Sequence, residues 1–350
     1  MLKRKLCGLL LAAVFLLLPV CAGAARPVPR LGQNGGAVAG AFGENFLFFD
    51  PADPTRLCVI DASDGSLAAW FLLDASSGAQ EGLWLRTTEE YALIQTPKYA
   101  YRMNRALRVE ARVPIPELPG QYSVSVDLTH VVYQDLIHIE QMNLETGKTV
   151  RLLEGDYDAV PQEIYSSPSY LEGDARLLVF ENTGAEDPVP CLYDPETEEL
   201  LSLGVTFDLD SSWKQCGDRL LVCGALVQRD APDVQSAAPS PAMDYSAERV
   251  SGILDPANAS FTALPLPLTG YGVQAMAANA SAAFCFVDSD GGWTLYRFAE
   301  NSGQRAGKET VHTEAVNLEL LAVTARGRVL YRTFDAHPSG NAGNGTYFVG

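Results

Sequence analysis

Val59–Leu72 reads VIDASDGSLAAWFL, Met142–Leu153 reads MNLETGKTVRLL, and Leu192–Leu203 reads LYDPETEELLSL. Each says the same thing: a short apolar strand runs into a turn opened by Asp or Asn, and a second strand leaves it. Asx side chains bond the backbone two residues on and Gly tolerates positive φ, so these turns have a physical cause. With Asp61, Asn143 and Asp194 taken as equivalent, the first separation is 82 residues, twice 41. Arg102 falls at its midpoint with a poor match, and Asp255 and Ala299 continue the series at gaps of 61 and 44. Self-similarity with a period of roughly 20–50 residues marks a solenoid or a propeller.

The apolar strands before those turns give a second reading. They are FLFFD (Phe46–Asp50), YALIQ (Tyr91–Gln95), HVVYQD (His130–Asp135), RLLVFE (Arg176–Glu181), RLLVCGAL (Arg219–Leu226), AAFCFVD (Ala282–Asp288) and RVLYRTF (Arg328–Phe334). All are short, rich in Val, Phe, Leu and Tyr, and bounded by Gly, Asp, Asn or Pro, as strands are. Several are apolar on both faces, which a sheet sandwiched between two neighbouring sheets requires. No sustained helical period competes with them. The expectation is an all-β fold, a single β-propeller of seven blades over residues 26–350. Six or eight blades are the alternatives, because the second is inferred from spacing.

The last unit, Leu318–Gly350, supplies three strands and stops where its turn should come, while RPVPRLG (Arg26–Gly32) resembles a missing outer strand. The N-terminal strand is therefore expected to complete the last blade and remove an exposed edge. Pro27 and Pro29 suit an edge strand, where no ladder donor is needed. A chain cut short at Gly350 is the competing reading. The gap between Asp194 and Asp255 exceeds one repeat. Its excess, residues 228–248, is rich in Pro, Ala and Ser and reads as a flexible loop within the fifth blade.

MLKRK followed by the apolar Leu6–Val20 and the small residues Ala22-Gly23-Ala24 makes residues 1–24 a secretory signal peptide. Leu18-Pro19-Val20-Cys21 also resembles a lipobox, with Val20 departing from the small residue such boxes carry, so lipidation at Cys21 is the alternative to cleavage near Ala24. Removing Lys3, Arg4 and Lys5 takes the net charge from −18 to −21. So acidic a surface repels nucleic acid and anionic lipid. With no second apolar segment, an extracytoplasmic, secreted or envelope-associated monomer with no transmembrane span in the mature chain is expected.

Five cysteines remain: Cys58, Cys191, Cys216, Cys223 and Cys285. Their number is odd and their spacing irregular, unlike a disulfide scaffold, and strand cysteines behave as small hydrophobes. Cys223 and Cys285, in equivalent strands of adjacent blades, are the one pair placed to bridge. His130, His138, His312 and His337 show no metal spacing, and no zinc-hydrolase, Walker or nucleophile-elbow motif occurs. Asp288-Ser289-Asp290-Gly291 opens like a calcium loop but lacks its distal Glu. Asp50 with Asp53, Asp61 with Asp64, and Asp208 with Asp210 fall at predicted turns, where Asp serves the backbone. Trp84 and Trp213 sit in first strands near the channel, Trp70 in an outer strand, and Trp293 in the sixth blade. Blade packing and ligand stacking are both open to them. No catalytic, cofactor-binding or metal-ligating residue is assigned, and no cofactor is expected.

Ser167–Leu203 and Gln121–Leu153 resemble blades of the TolB-like, WD40-related Asp-rich propellers: a turn, an apolar strand, a short loop, an apolar strand ending in Asp, then a turn of the Thr-Gly kind. Ser125-Val126-Asp127-Leu128 has lost the Pro and Gly of the usual Ser-Pro-Asp-Gly turn. The resemblance implies a propeller scaffold and carries no catalytic residue. The function expected is an exported non-catalytic β-propeller that binds a protein, peptide or glycan on one face of the ring. The alternative is a glycoside hydrolase or polysaccharide lyase with carboxylates gathered at the channel mouth. Catalysis predicts two or three acids crowded there; binding predicts an apolar, aromatic or evenly polar mouth.

Overall fold

The computed structural model describes residues 26–27, 39–50, 53–73, 83–159, 163–171, 176–182, 188–207, 211–216, 219–227, 248–266, 272–277, 281–287, 292–298, 305–312, 317–334 and 345–350. The signal segment with Cys21, residues 228–247, Asp208, Asp210, Ala299, His337 and the Asp288–Gly291 motif lie outside them.

The described strands form an all-β, single propeller whose strands pair into seven antiparallel sheets. The first sheet holds Ala39–Phe42, Asn45–Asp50, Asp53–Asp61 and Leu67–Leu72, and the second Trp84–Thr87, Tyr91–Gln95, Tyr99–Asn104 and Val109–Pro114. Next come Tyr122–Val124, His130–Asp135, His138–Asn143 and Thr149–Leu153 in the third, with Ile164–Tyr170, Leu177–Asn182, Val189–Asp194 and Glu199–Ser202 in the fourth. In the fifth the first strand is split into Val205–Thr206 and Ser212–Cys216. Both pieces pair with Arg219–Val227, which is followed by Glu248–Asp255 and Ser260–Ala263. The sixth comprises Gly272–Met276, Ala282–Val287, Trp293–Phe298 and Arg305–His312. The seventh takes Asn317–Val323, Val329–Phe334 and Gly345–Val349, and Arg26–Pro27 lies along its outer edge, with Arg26 opposite Val349 and Pro27 opposite Phe348.

Each of the seven apolar runs supplies the second strand of a sheet, and their two-faced character has a direct cause. In Asn45–Asp50, Phe46 and Phe48 pack toward Leu321, Leu330 and Val349 of the seventh sheet. The alternate residues Leu47 and Phe49 pack toward Ala92, Ile94 and Met103 of the second. Strand alternation thus sends successive side chains into two different interfaces. The same division recurs around the molecule, giving a core cluster between every pair of consecutive sheets and one between the seventh and the first.

Among the described residues, five third strands end in an Asx turn. Backbone N–H groups two residues on donate to Oδ1 of Asp61 (2.7 Å), Asn104 (3.0 Å), Asn143 (3.1 Å), Asp194 (2.9 Å) and Asp255 (3.1 Å). This corrects one expectation: the turn residue of the second sheet is Asn104, not Arg102. Arg102 lies inside the strand, pairing with Leu93 and Ala111. The extra length after Asp194 enters between the second and third strands of the fifth sheet, where Val227 pairs with Glu248; Glu248 itself begins a strand.

Candidate functional site

First strands line the middle of the propeller, so side chains there converge from different sheets. A cavity of about 610 Å³ opens among Ala39 of the first sheet, Trp84 and Leu85 of the second, Tyr122 and Ser123 of the third, Ser167–Ser169 of the fourth, Trp213–Gln215 of the fifth, and Glu319 and Leu321 of the seventh. Six of the seven sheets contribute, which identifies the cavity as the central channel. A second depression of about 420 Å³ lies among hairpin tips, with Gly43, Glu44, Thr88, Glu89, Arg105 and Ala325 on its walls. Its charges are already paired: Arg105 with Glu89 at 4.0 Å, and Arg326 with Glu44 at 3.2 Å.

The channel wall is held from behind. The Trp213 ring stacks on Phe180 with centroids 4.3 Å apart and on Phe207 at 6.0 Å, yet the residue stays 37% exposed. On the second sheet the Arg86 guanidinium lies 5.7 Å from the Trp84 ring centre and donates to the Tyr170 carbonyl at 2.5 Å, tying that wall to the fourth sheet. Lys214 donates from Nζ to the Leu321 carbonyl at 2.9 Å, joining the fifth and seventh sheets. Ser123 Oγ accepts from the Tyr170 N–H at 3.3 Å. At Ser166–Ser169 the fourth sheet's first strand slips register, and Ser167 adopts φ 49°, a left-handed conformation costly for a non-glycine residue.

Two polar features of the channel stand out. Gln95 is 4% exposed, its side chain lies beside the Tyr122 phenol, and its Oε1 has no hydrogen-bond partner. Burial pushes the Tyr122 phenol above its usual range, against the opposing effect of the neighbouring Gln95 amide. Glu319, the one carboxylate among the described lining residues, receives the Arg332 Nε–H at 2.5 Å; the Arg332 side chain is buried and also lies over Phe334 at 4.9 Å.

The acidic pairs behave as turn formers. Asp61 caps its own turn and Asp64 accepts from the Ser66 N–H at 2.8 Å. Asp53 accepts from the Thr55 N–H and hydroxyl, and Arg56 lies 3.8 Å from Asp50 and 3.7 Å from Asp53. His130 is engaged through Nδ1 with Thr129 (2.7 Å) and through Nε2 with Asn143 (3.3 Å), whereas His138 Nδ1 accepts from the Gly155 N–H (3.1 Å). They sit at opposite ends of one hairpin, opposite Asn143 and Asp135. Among the described residues no group of three His, Cys, Asp or Glu is placed to hold a metal ion. Cys58 and Cys191 are free, buried thiols. Trp293 is 4% exposed and packs between the sixth and seventh sheets, and Trp70, 52% exposed, stands on the outer strand of the first with Arg56 5.4 Å away. Trp84 and Trp213 reach the channel, as their first-strand positions predicted. Gln95, Tyr122 and Ser167 escaped the sequence reading. Only position could have found them: Tyr122 and Ser167 lie in first strands and Gln95 ends a second.

No family model matches the chain, and no curated protein matches it in sequence. Solved structures do resemble it in fold. Hydrazine synthase of Kuenenia stuttgartiensis aligns at 10% identity and TM-score 0.43, over 92% of this chain and 97% of that one. The Pan2 WD40 domain of Neurospora crassa aligns at 12% and 0.42, over 93% and 91%. Dipeptidyl peptidase 4 of Porphyromonas gingivalis aligns at 13% and 0.42, over 86% of this chain and 50% of that chain. Likenesses so distant concern fold alone. Among the described residues no helix is long and apolar enough to cross a membrane.

Proposed function

We propose that the protein is an exported, non-catalytic binding scaffold: a seven-bladed ring of the TolB-like, WD40-related kind, closed by Arg26–Pro27, that holds a protein, peptide or glycan at the mouth of its channel. The observation that carries this reading is the make-up of the channel wall. Two indoles, a phenol, amides and hydroxyls line it, and its single described carboxylate is tied up with Arg332. A glycosidase-type mechanism requires two carboxylates facing one bond, so the wall favours binding over the carbohydrate-active alternative. A rigid ring presenting side chains from six sheets binds by multipoint contact with little ordering cost. The signal-like residues 1–24 support export to the envelope or beyond, and the acidic balance disfavours nucleic acid and anionic lipid as partners.

Affinity capture from an envelope extract tests the scaffold. Recovery of one protein in stoichiometric amount, or of an intact glycan, supports it; retention of a polysaccharide with release of shortened chains would replace it with the enzyme. Mass spectrometry of the exported form decides the leader: a start near Ala25 indicates simple cleavage, and an acylated Cys21 indicates a lipid anchor.

A further inference from the structure

The channel carries an unmet hydrogen-bonding demand. Gln95 is almost wholly buried, its side chain lies beside Tyr122, and its Oε1 has no hydrogen-bond partner. Leaving a buried amide oxygen without a hydrogen-bond partner is costly, since it has given up its water and received nothing in return. A ligand that meets it recovers that cost, so such groups are natural anchor points. Turning the amide would exchange donor for acceptor at the open position. A hydroxyl answers either orientation, since it both donates and accepts.

The surroundings narrow the ligand further. Trp84 and Trp213 come from the second and fifth sheets, on opposite sides of the channel, and Trp213 keeps an exposed surface although Phe180 backs it. Flat apolar surfaces of this kind suit the C–H face of a sugar ring. Between them the wall offers Gln121, Gln215 and Ser169, which are neutral. Glu319 is neutralised by Arg332, and Lys214 is held by the Leu321 carbonyl. The strained Ser167 and the register slip beside it place this stretch of wall against its conformational preference, a pattern found at ligand clamps. A cavity of about 610 Å³ is in the range of small-molecule sites.

We infer that the central channel is a binding site for a neutral oligosaccharide, whose rings stack on Trp84 and Trp213 and one of whose hydroxyls bonds the open end of the Gln95 amide. This rests on the scaffold reading above and names the ligand class of the same channel.

The test titrates the purified protein with cello-, xylo-, malto- and chitotetraose, with acetyl-tetraalanine amide as a peptide arm, following tryptophan fluorescence and heat. At least one tetrasaccharide is expected to bind with a change in indole emission. Gln95→Leu should weaken it about tenfold or more while the melting temperature stays level or rises, because an unsatisfied buried amide is removed. A purely structural Gln95 would instead lower the melting temperature and leave affinity unchanged. Trp84→Leu, which keeps an apolar side chain in place, should also weaken binding and reduce the fluorescence response. Failure of every tetrasaccharide to bind at millimolar concentration, or equal binding by Gln95→Leu, overturns the assignment. Binding of the peptide alone overturns the sugar class but leaves the scaffold standing. If the capture experiment also returns nothing, the scaffold falls as well.

Discussion

Asn143 shows how much one side chain does in this fold. Its Oδ1 accepts from the N–H of Glu145 (3.1 Å), the N–H of Thr146 (2.8 Å) and the Thr146 hydroxyl (2.9 Å), closing a turn that Gly147 then leaves at φ 69°. Asn143→Ala should cost about 1–2 kcal/mol in urea denaturation. Leu128 is the opposite case. It is a non-glycine residue at φ 61°, yet is 3% exposed and packs with Val124 and Val131. The left-handed backbone costs about 1–2 kcal/mol; burying a leucine contributes about 1.5–3 kcal/mol and its loss also leaves a cavity. Packing wins, so Leu128→Gly is expected to destabilise by about 1–3 kcal/mol despite relieving the left-handed strain, as thermal denaturation would show. Buried thiols add a pH dependence. Burial first, then the Asp50 carboxylate, pushes Cys58 up to about 11, and burial with Glu181 pushes Cys191 up to about 12. An unfolded thiol ionises near pH 8.5, about where unhindered cysteines do. The native state therefore holds protons that the unfolded chain releases, and stability present below that pH is lost as pH rises toward 11–12. Between about pH 8.5 and 10, before tyrosines ionise, denaturation free energy should fall with pH, with a shallower slope in the Cys58→Ala/Cys191→Ala double variant.

At the scale of the strand, alternation explains both what was legible and what was hidden. The run FLFFD looks like undifferentiated apolar sequence, but Phe46 and Phe48 serve one interface and Leu47 and Phe49 the next. Such runs identify strands buried on both faces without reporting which sheets flank them. The second sheet's turn was misplaced because Asn104 and Leu107, with φ 58° at Leu107, do the work that Asp and Gly do elsewhere. Backbone crowding makes a sharp element-scale test. A Cβ on Gly252 would lie 2.2 Å from the Thr262 carbonyl oxygen and 2.8 Å from Phe261 Cζ, whereas none of the atoms around Gly43 comes within 4 Å of such a Cβ. Gly252→Ala should therefore cost about 2–4 kcal/mol by forcing apart the third and fourth strands of the fifth sheet. Gly43→Ala, with φ 60° and open space, should cost about 1 kcal/mol from backbone strain alone. Chemical denaturation of the two variants side by side checks the difference.

At the scale of the molecule, the pairing of Arg26–Pro27 with Val349 and Phe348 joins residues more than three hundred positions apart in the chain. A chain shortened to begin at Ala39 would uncover the outer edge of the seventh sheet. Its melting temperature should fall by about 2–5 °C, and the exposed edge should promote association. Calorimetry and size-exclusion chromatography would register both.

The all-β class, the repeating strand–turn–strand unit and the positions of the apolar strands were all legible in the order of residues. Each of these follows from interactions spanning only a few residues: period-two burial, Asx turns and glycine's freedom at positive φ. The composition of the channel became visible in the assembled ring alone, because its wall is drawn from short stretches of six sheets separated by dozens of residues. Gln95, Tyr122, Ser167 and Glu319 share no local pattern. What makes them a site is their convergence on one axis, a property of the ring rather than of any stretch of chain.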